Sequence, residues 1–75
     1  MNIKPESLRT FVTVADCGNL HEASEILGRT PSAISMTLKQ LSEQLSAELF
    51  ETDRKSNLTP TGQFVLEESR RALNS

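Results

Sequence analysis

Residues 30–45 place small hydroxyl groups, a thioether and an amine at helical spacing. At about 100° per residue, Ser32, Met36, Lys39 and Glu43 fall on one face of a helix, with Ser35 beside them. Hydroxyl and ammonium groups can hydrogen-bond to base edges and phosphates, and an apolar side chain can contact a thymine methyl. A face with so little bulk would fit the major groove of DNA, which admits a helix. An ordinary surface helix would show the same pattern, so the neighbouring segments have to decide.

The predicted helix over 31–45 has a clear start and one apolar face. Thr30 is a favoured N-cap because its hydroxyl can accept a hydrogen bond from an unpaired backbone N–H of the first turn. Pro31 suits the first helical position, where a backbone N–H is not needed. Opposite the polar face, the apolar residues follow one stripe: Ile34, Leu38, Leu41 and Leu45. This stripe predicts that the helix packs on a core and leaves its polar face free.

Two shorter helices are predicted ahead of this one. The first spans about residues 5–16 and stops at Gly18, since glycine commonly ends helices. The second opens at Asn19, which has capping-box spacing to Glu22, and ends at Gly28. This second helix, a turn that contains glycine and a third helix with a polar start form a helix-turn-helix pattern. The inward face of the second helix is predicted to hold Leu20, Ala23 and Leu27, with Ile26 beside them.

The segment after the third helix predicts a β-hairpin. A short strand over 47–52 and a partner strand over 57–59 flank a polar turn at 53–56. Arg54 and Lys55 lie in that turn, where a wing would bring them to the DNA backbone or the minor groove. A strand, a basic turn and a strand after a recognition helix indicate a winged helix-turn-helix, although a solvated surface hairpin would also fit.

Thr59 and Pro60 repeat the helix-start signal and open a last helix. Its apolar content is broad for a helix that packs on a single neighbour. This breadth indicates either that the helix continues in a longer parent protein or that it packs against a second copy. Glu67 and Arg71 have the spacing of a favourable i, i+4 ion pair. The apolar residues of this helix are Phe64, Val65, Leu66, Ala72 and Leu73.

Composition limits the remaining function classes. A chain of 75 residues forms one small domain, and its single Cys excludes an intrachain disulfide and fits a reducing compartment. No apolar run approaches the roughly 18 residues of a membrane span. Cys17 is expected to be a small buried or half-buried apolar residue and His21 a solvated one; without a nucleophile–base pair, an enzyme is not expected. The net charge of −2 counts against simple electrostatic binding of nucleic acid and supports an alternative, a small helical protein-interaction module without DNA binding.

Five segments carry recognisable motifs: Leu8-Arg9-Thr10-Phe11, Gly18-Asn19-Leu20, Ala23-Ser24-Glu25, Thr30-Pro31-Ser32-Ala33-Ile34-Ser35 and Leu58-Thr59-Pro60-Thr61-Gly62. Together they resemble the N-terminal DNA-binding domain of a LysR-type bacterial transcriptional regulator. The second segment is similar to the family's Gly-Ser-Phe, the third to Ala-Ala-Glu, and the fourth to Ser-Gln-Ser/Pro-Ala-Leu/Val-Ser. The resemblance covers about residues 8–73, and its order and spacing over that length are specific.

The resemblance implies a mainly α fold, a winged helix-turn-helix with a three-helix core, a short β-hairpin wing and a C-terminal linker helix. Residues 1–59 would form the DNA-binding domain, and residues 60–75 the start of the dimerisation helix. The resemblance places Arg54 at the minor groove and Lys55 on phosphate. The first turns of the recognition helix over 31–45 would enter the major groove, with Thr30 contacting the backbone and the groove-facing positions at Pro31, Ser32, Ser35, Met36 and Lys39.

For the parent protein, the resemblance implies a homodimer through the C-terminal helix, further assembly into a tetramer, and binding to an interrupted palindrome in double-stranded DNA. The inherited dimerisation residues are Phe64, Val65, Leu66 and Leu73. A small-molecule effector would bind only to a C-terminal domain outside these 75 residues. No catalytic residue, metal, cofactor or membrane contact is implied, and the expected location is the bacterial cytoplasm.

Three residues depart from the family pattern. Met36 stands where the family usually has Arg, and Pro31 stands where Gln is common. Both changes remove side chains that could contact a base edge or a phosphate. Ser46 stands where Gly is usual, which predicts a slightly different turn after the recognition helix. The wing is also one residue shorter than in many relatives.

Overall fold

The computed structural model describes residues 3–51 and 54–74, and for residues 54–56 it describes the backbone alone. Within these ranges the chain forms four helices and one two-stranded antiparallel sheet. The elements are α1 (Pro5–Cys17), α2 (Leu20–Leu27), α3 (Pro31–Leu45), β1 (Phe50–Glu51), β2 (Arg54–Leu58) and α4 (Pro60–Leu73). This order confirms the predicted mainly α, winged helix-turn-helix fold.

Local hydrogen bonds and glycines set the ends of the helices. The Asn19 side chain accepts from the backbone N–H of Glu22 at 2.7 Å, which caps α2. The Glu22 carboxylate accepts from the Asn19 side-chain amide at 3.4 Å, so the pair is reciprocal, but through the side chain rather than the backbone. Gly18 and Gly28 end α1 and α2 with φ of 79° and 66°, the left-handed conformation that a side chain disfavours.

Helix α1 is the centre of the packing, because it contacts the three other helices and β2. Phe11 and Val14 of α1 are fully buried, and the Phe11 ring meets Phe50 edge to face with centroids 5.5 Å apart. The predicted stripe of α3 enters this core, with Leu45 packed at its margin. The remaining buried apolar residues are Ala23, Ile34, Leu38, Leu41 and Leu49.

The hairpin differs from its prediction. Strand β1 holds only Phe50–Glu51, and β2 begins at Arg54, three residues earlier than expected. Phe50 pairs with Leu58 and Glu51 pairs with Arg54, so Arg54 lies in a strand and not in the turn. The prediction was wrong here because the segment after the turn has no apolar alternation, and backbone pairing with Glu51 extends the strand. Residues 52 and 53, which the prediction placed at the end of the first strand and in the turn, lie outside the described residues.

Two further expectations are corrected by the packing. Ile26 was expected beside the inward face of α2, but it is 64% exposed. It lies about 100° around the helix from Leu27 and about 60° beyond Ala23, so it falls outside the face that packs on the core. Arg71 does not pair with Glu67; its guanidinium donates to the Glu68 carboxylate at 2.9 Å. The neighbouring Arg70 instead reaches α1, where it donates to the Asp16 carboxylate at 2.6 Å.

Candidate nucleic-acid interface

The outer face of α3 is free of the rest of the domain. Met36 is 59% exposed, Pro31, Ser32 and Lys39 are also exposed, and Ser35 is half-buried at the border of the face. These residues line a single shallow surface depression. The structure therefore brings together all five α3 residues that the sequence assigns to the groove-facing surface.

The start of α3 is held by Thr30 and Arg29. The Thr30 hydroxyl accepts from the Ala33 N–H at 3.1 Å, as the sequence predicts for an N-cap. Arg29 donates to the Thr37 hydroxyl at 3.0 Å and to the Ala33 carbonyl at 3.5 Å, both on α3. It also donates to the buried Thr10 hydroxyl of α1 at 3.5 Å. Arg29 thus links α1 to the recognition helix and keeps the start of that helix in place.

The sequence interpretation missed Arg29 as a positioning residue. The available signal was a long cation alone between a helix stop at Gly28 and a helix cap at Thr30. A side chain in so short a turn has two helix ends within reach. Which groups it bonds to depends on how α1 lies against α3, and that is a tertiary property.

The charge around α3 is uneven. Its first turn carries no acidic residue, so the positive end of the helix dipole is not neutralised by its own side chains. Such an end favours an anion like a phosphate. The next depression along the domain, between α3 and the hairpin, is lined by Lys39 together with the carboxylates Glu48 and Glu51. The start of α3 is thus better suited to DNA phosphate than the surface towards β1.

The wing residues are described by their backbone only. Arg54 and Lys55 follow one another in β2, and Arg54 pairs with Glu51 across the hairpin. Their side chains lie outside the described part of the structure, so the assignment of Arg54 to the minor groove and of Lys55 to phosphate stays a prediction.

The last helix uses most of its apolar residues inside its own domain. Val65 and Leu66 pack against the core, Leu73 is half-buried, and Ser69 is buried with its hydroxyl donating to the Val65 carbonyl at 2.7 Å. Phe64, with 65% of its surface exposed, and the smaller Ala72 are the exposed apolar residues of α4. Much of the apolar breadth of α4 is therefore explained by packing on the domain, and Phe64 is its large apolar side chain left for an outside contact.

Other kinds of site find little support in the described ranges. Within residues 3–51 and 54–74, no group of three His, Cys, Asp or Glu side chains could hold a metal ion. None of the helices described there is long and apolar enough to cross a membrane. Partial burial, together with the carboxylates of Glu22 and Asp16, raises the pKa of the Cys17 thiol. The neutral thiol is favoured, which agrees with a half-buried apolar role rather than a reactive thiolate.

A recognition helix with a free polar face, held on two supporting helices and followed by a hairpin, defines the class of winged helix-turn-helix domains. Residues 5–63 match the family model described as the bacterial regulatory helix-turn-helix protein, lysR family. The chain belongs to the LysR family.

The curated relatives are transcriptional regulators. Over 72 residues the chain is 40% identical to the HTH-type transcriptional activator AllS of Klebsiella pneumoniae, covering 95% of this chain and 27% of the relative. Over 61 residues it is 38% identical to the HTH-type transcriptional regulator YtlI of Bacillus subtilis, covering 81% of this chain and 20% of the relative. The chain thus spans about a quarter of the length of these relatives.

Solved structures of this family share the fold. Vibrio fischeri DarR in complex with DNA superimposes with a TM-score of 0.92 at 29% identity, covering 99% of this chain and 26% of that one. The BenM DNA-binding domain in complex with benA site 1 DNA gives a TM-score of 0.91 at 25% identity, covering 96% of this chain and 82% of that one. Both comparisons extend over nearly the whole of this chain.

Proposed function

We propose that this chain is the DNA-binding domain of a bacterial transcriptional regulator and that α3 recognises a specific sequence in the major groove. The observation that carries the proposal is the exposed face of the first turns of α3, lined by two hydroxyls, Met36 and Lys39 and by no carboxylate, in a fold shared with two proteins solved on DNA. A target on chromosomal DNA places the protein's action in the bacterial cytoplasm. The alternative of a protein-interaction module has no comparable support.

Each residue of the proposed interface has a role that follows from its chemistry. Thr30 and the backbone N–H of Ser32 would face a phosphate; Pro31 has no N–H, and the Ala33 N–H already donates to the Thr30 hydroxyl. Ser32 and Ser35 have hydroxyls that can donate to or accept from base edges, and Lys39 adds one cation to the same face. Pro31 and Met36 provide its apolar part. From the wing, Arg54 would reach the minor groove and Lys55 a phosphate.

The test is a fluorescence-anisotropy titration of the chain with random-sequence duplexes at low and at moderate salt. Binding should be measurable at low salt and should weaken steeply as salt rises, because phosphate contacts release counterions. Ser35→Glu places a carboxylate on the proposed interface and should abolish binding. Gln63→Glu on α4 makes the same charge change on an exposed residue elsewhere and should bind nearly as the wild type does. Equal affinity of the two variants would contradict the proposed face.

We also propose that α4 pairs with its copy in a second chain, so that residues 1–59 bind DNA and residues 60–75 begin the dimerisation helix. The exposed Phe64 supports this pairing most directly, with Val65, Leu66 and Leu73 at the margins of the contact. Two recognition helices related by a two-fold axis would bind an interrupted palindrome with half-sites separated by whole helical turns.

Sedimentation equilibrium tests this assembly. The chain, or a version extended along the helix, should dimerise at tens of micromolar, and Phe64→Glu should return it to monomer. Ile26→Glu is the matched control, since Ile26 is 64% exposed on α2 and outside the proposed contact. Only monomer for both the chain and its extended version would refute the pairing.

Other properties belong to the whole protein and not to this domain. They are the regulatory activity, the response to an effector and any assembly into a tetramer. We propose that the C-terminal part of the whole protein binds the effector.

A further inference from the structure

Met36 is the large apolar residue of the α3 outer face, and the domain's own packing does not require it. With 59% of its surface exposed, it lies opposite the buried residues Ile34, Leu38 and Leu41. An unbranched thioether in the second turn of a surface helix is more flexible than the serines beside it. The residue does not complete the core, so its role must be sought in what the face contacts.

The surroundings of Met36 point to one kind of partner. It shares its depression with Ser32 and Ser35, whose hydroxyls are polar, with Lys39, and with the apolar ring of Pro31. No carboxylate lines this depression, so a polyanion can approach it. A surface that is polar at three points and apolar at two is complementary to a base edge on which hydrogen-bonding groups lie beside an apolar group.

In the major groove only one base offers such an apolar group. Thymine carries a C5 methyl, whereas the groove edges of guanine, cytosine and adenine have hydrogen-bonding groups and ring C–H groups but no methyl. We propose that Met36 recognises a thymine in each half-site through that methyl group. The inference rests on the proposed DNA-binding function and adds to it the residue and the base that determine specificity at one position.

The experiment begins with a site selected by this chain from a random duplex library. Each thymine of the selected site is then replaced by uracil, which keeps base pairing and removes only the methyl group. For one symmetry-related pair of thymines the wild-type chain should bind about fourfold more weakly per half-site, the factor expected for one methyl group left in water. At the other thymines the replacement should have little effect.

Three variants test whether Met36 is the residue that contacts this thymine methyl. Met36→Ala should bind the thymine and uracil sites equally, because the contact is then missing from the protein side. Met36→Leu keeps an apolar side chain of similar size and should restore most of the difference. Ile26→Ala removes an equally exposed apolar residue from α2 and should keep the full difference. Circular dichroism shows whether each variant keeps its helices.

The outcomes separate this inference from the proposed function. A wild-type chain that binds its selected site but is indifferent to uracil at every thymine overturns the role of Met36 and leaves DNA binding intact. A difference that persists in Met36→Ala also overturns it, since another residue then contacts the methyl. Failure to bind any duplex at low salt overturns both proposals.

Discussion

The two Thr-Pro helices of this domain begin with the same local signal but are attached to the rest of the domain in different ways. Thr30 and Thr59 each accept a hydrogen bond from the N–H three residues on, at 3.1 Å and 2.9 Å. The first two residues of both helices are exposed, but the caps differ: Thr30 is exposed and Thr59 is half-buried. The start of α4 is docked: the Thr59 hydroxyl donates to the Glu48 carbonyl at 2.6 Å, and its backbone N–H donates to the Leu49 carbonyl at 3.1 Å.

The difference extends to the third residue of each helix. In α3 this residue is Ala33, which is only half-buried, so there is room for its methyl side chain. In α4 it is Gly62, which is buried so closely against Leu49 that an added Cβ would overlap the Leu49 carbonyl oxygen. A shared helix-start signal therefore says where a helix begins but not whether that end is available to a ligand. Of these two helix starts, the one that does not pack against Leu49 belongs to the helix that we propose to bind DNA.

The largest effect is expected at the docked start. Gly62→Ala should lower the free energy of unfolding by about 3 kcal/mol, because the new Cβ meets backbone atoms that cannot rotate away. The matched change in α3, Ala33→Gly, should cost at most about 1 kcal/mol through helix propensity. Urea unfolding followed by circular dichroism measures both. If Gly62→Ala were neutral or stabilising, the close approach of α4 to Leu49 would be wrong.

The N-cap of α4, Thr59, should contribute more to the free energy of unfolding than the N-cap of α3, Thr30. Thr59→Ala removes the cap and also the hydrogen bond to the Glu48 carbonyl, so it should cost about 2 kcal/mol. Thr30→Ala removes a cap alone and should cost about 1 kcal/mol. Thr→Ser at either position keeps the hydroxyl and should recover most of the loss in the same urea experiment. If the two alanine variants lost the same free energy of unfolding, the Thr59 hydrogen bond to Glu48 would add nothing to stability and the proposed difference between the two helix starts would be wrong.

DNA affinity, unlike stability, should depend more on α3 than on α4. Lys39→Ala on α3 should weaken binding to random duplex by about tenfold at low salt and reduce the salt slope by about one, as for one lost phosphate contact. Arg71→Ala on α4 makes the same change in net charge away from the proposed interface and should alter affinity much less. Anisotropy titrations at several salt concentrations measure both values. A larger loss for Arg71→Ala would place the DNA on α4.

The smallest effect is expected at the far end of α3. Ser46 has φ of 54°, and within the described ranges it is the one residue other than glycine with a positive φ. The serine thus adopts the left-handed conformation that a glycine would take without strain. Ser46→Gly should raise the free energy of unfolding by about 0.5 kcal/mol, because relieved strain is partly offset by the added freedom of the unfolded chain. Gly28→Ala, at φ of 66°, is the opposite change and should be destabilising in the same assay.

The sequence determined the features that depend on residues within one helical turn of each other. The N-caps at Asn19, Thr30 and Thr59 and the stops at Gly18 and Gly28 were predictable because each is a bond or a backbone angle formed locally. The exposed face of α3 was predictable too, since a buried stripe at helical period leaves the opposite residues outside. The family resemblance rested on the order and spacing of sequence segments between Leu8 and Leu73, which are also read without the tertiary structure.

Only the tertiary structure decided which of these surfaces remained free. Val65 and Leu66 face the domain core and Phe64 faces outward, although all three looked alike as apolar residues of one helix. The start of the second strand at Arg54 depended on pairing across the hairpin. Arg29 became a positioning residue through bonds to two helices. These outcomes rest on contacts between residues far apart in the chain. Periodicity within α4 separates Phe64 from Leu66 around the helix, but it does not say which of the two sides meets the core.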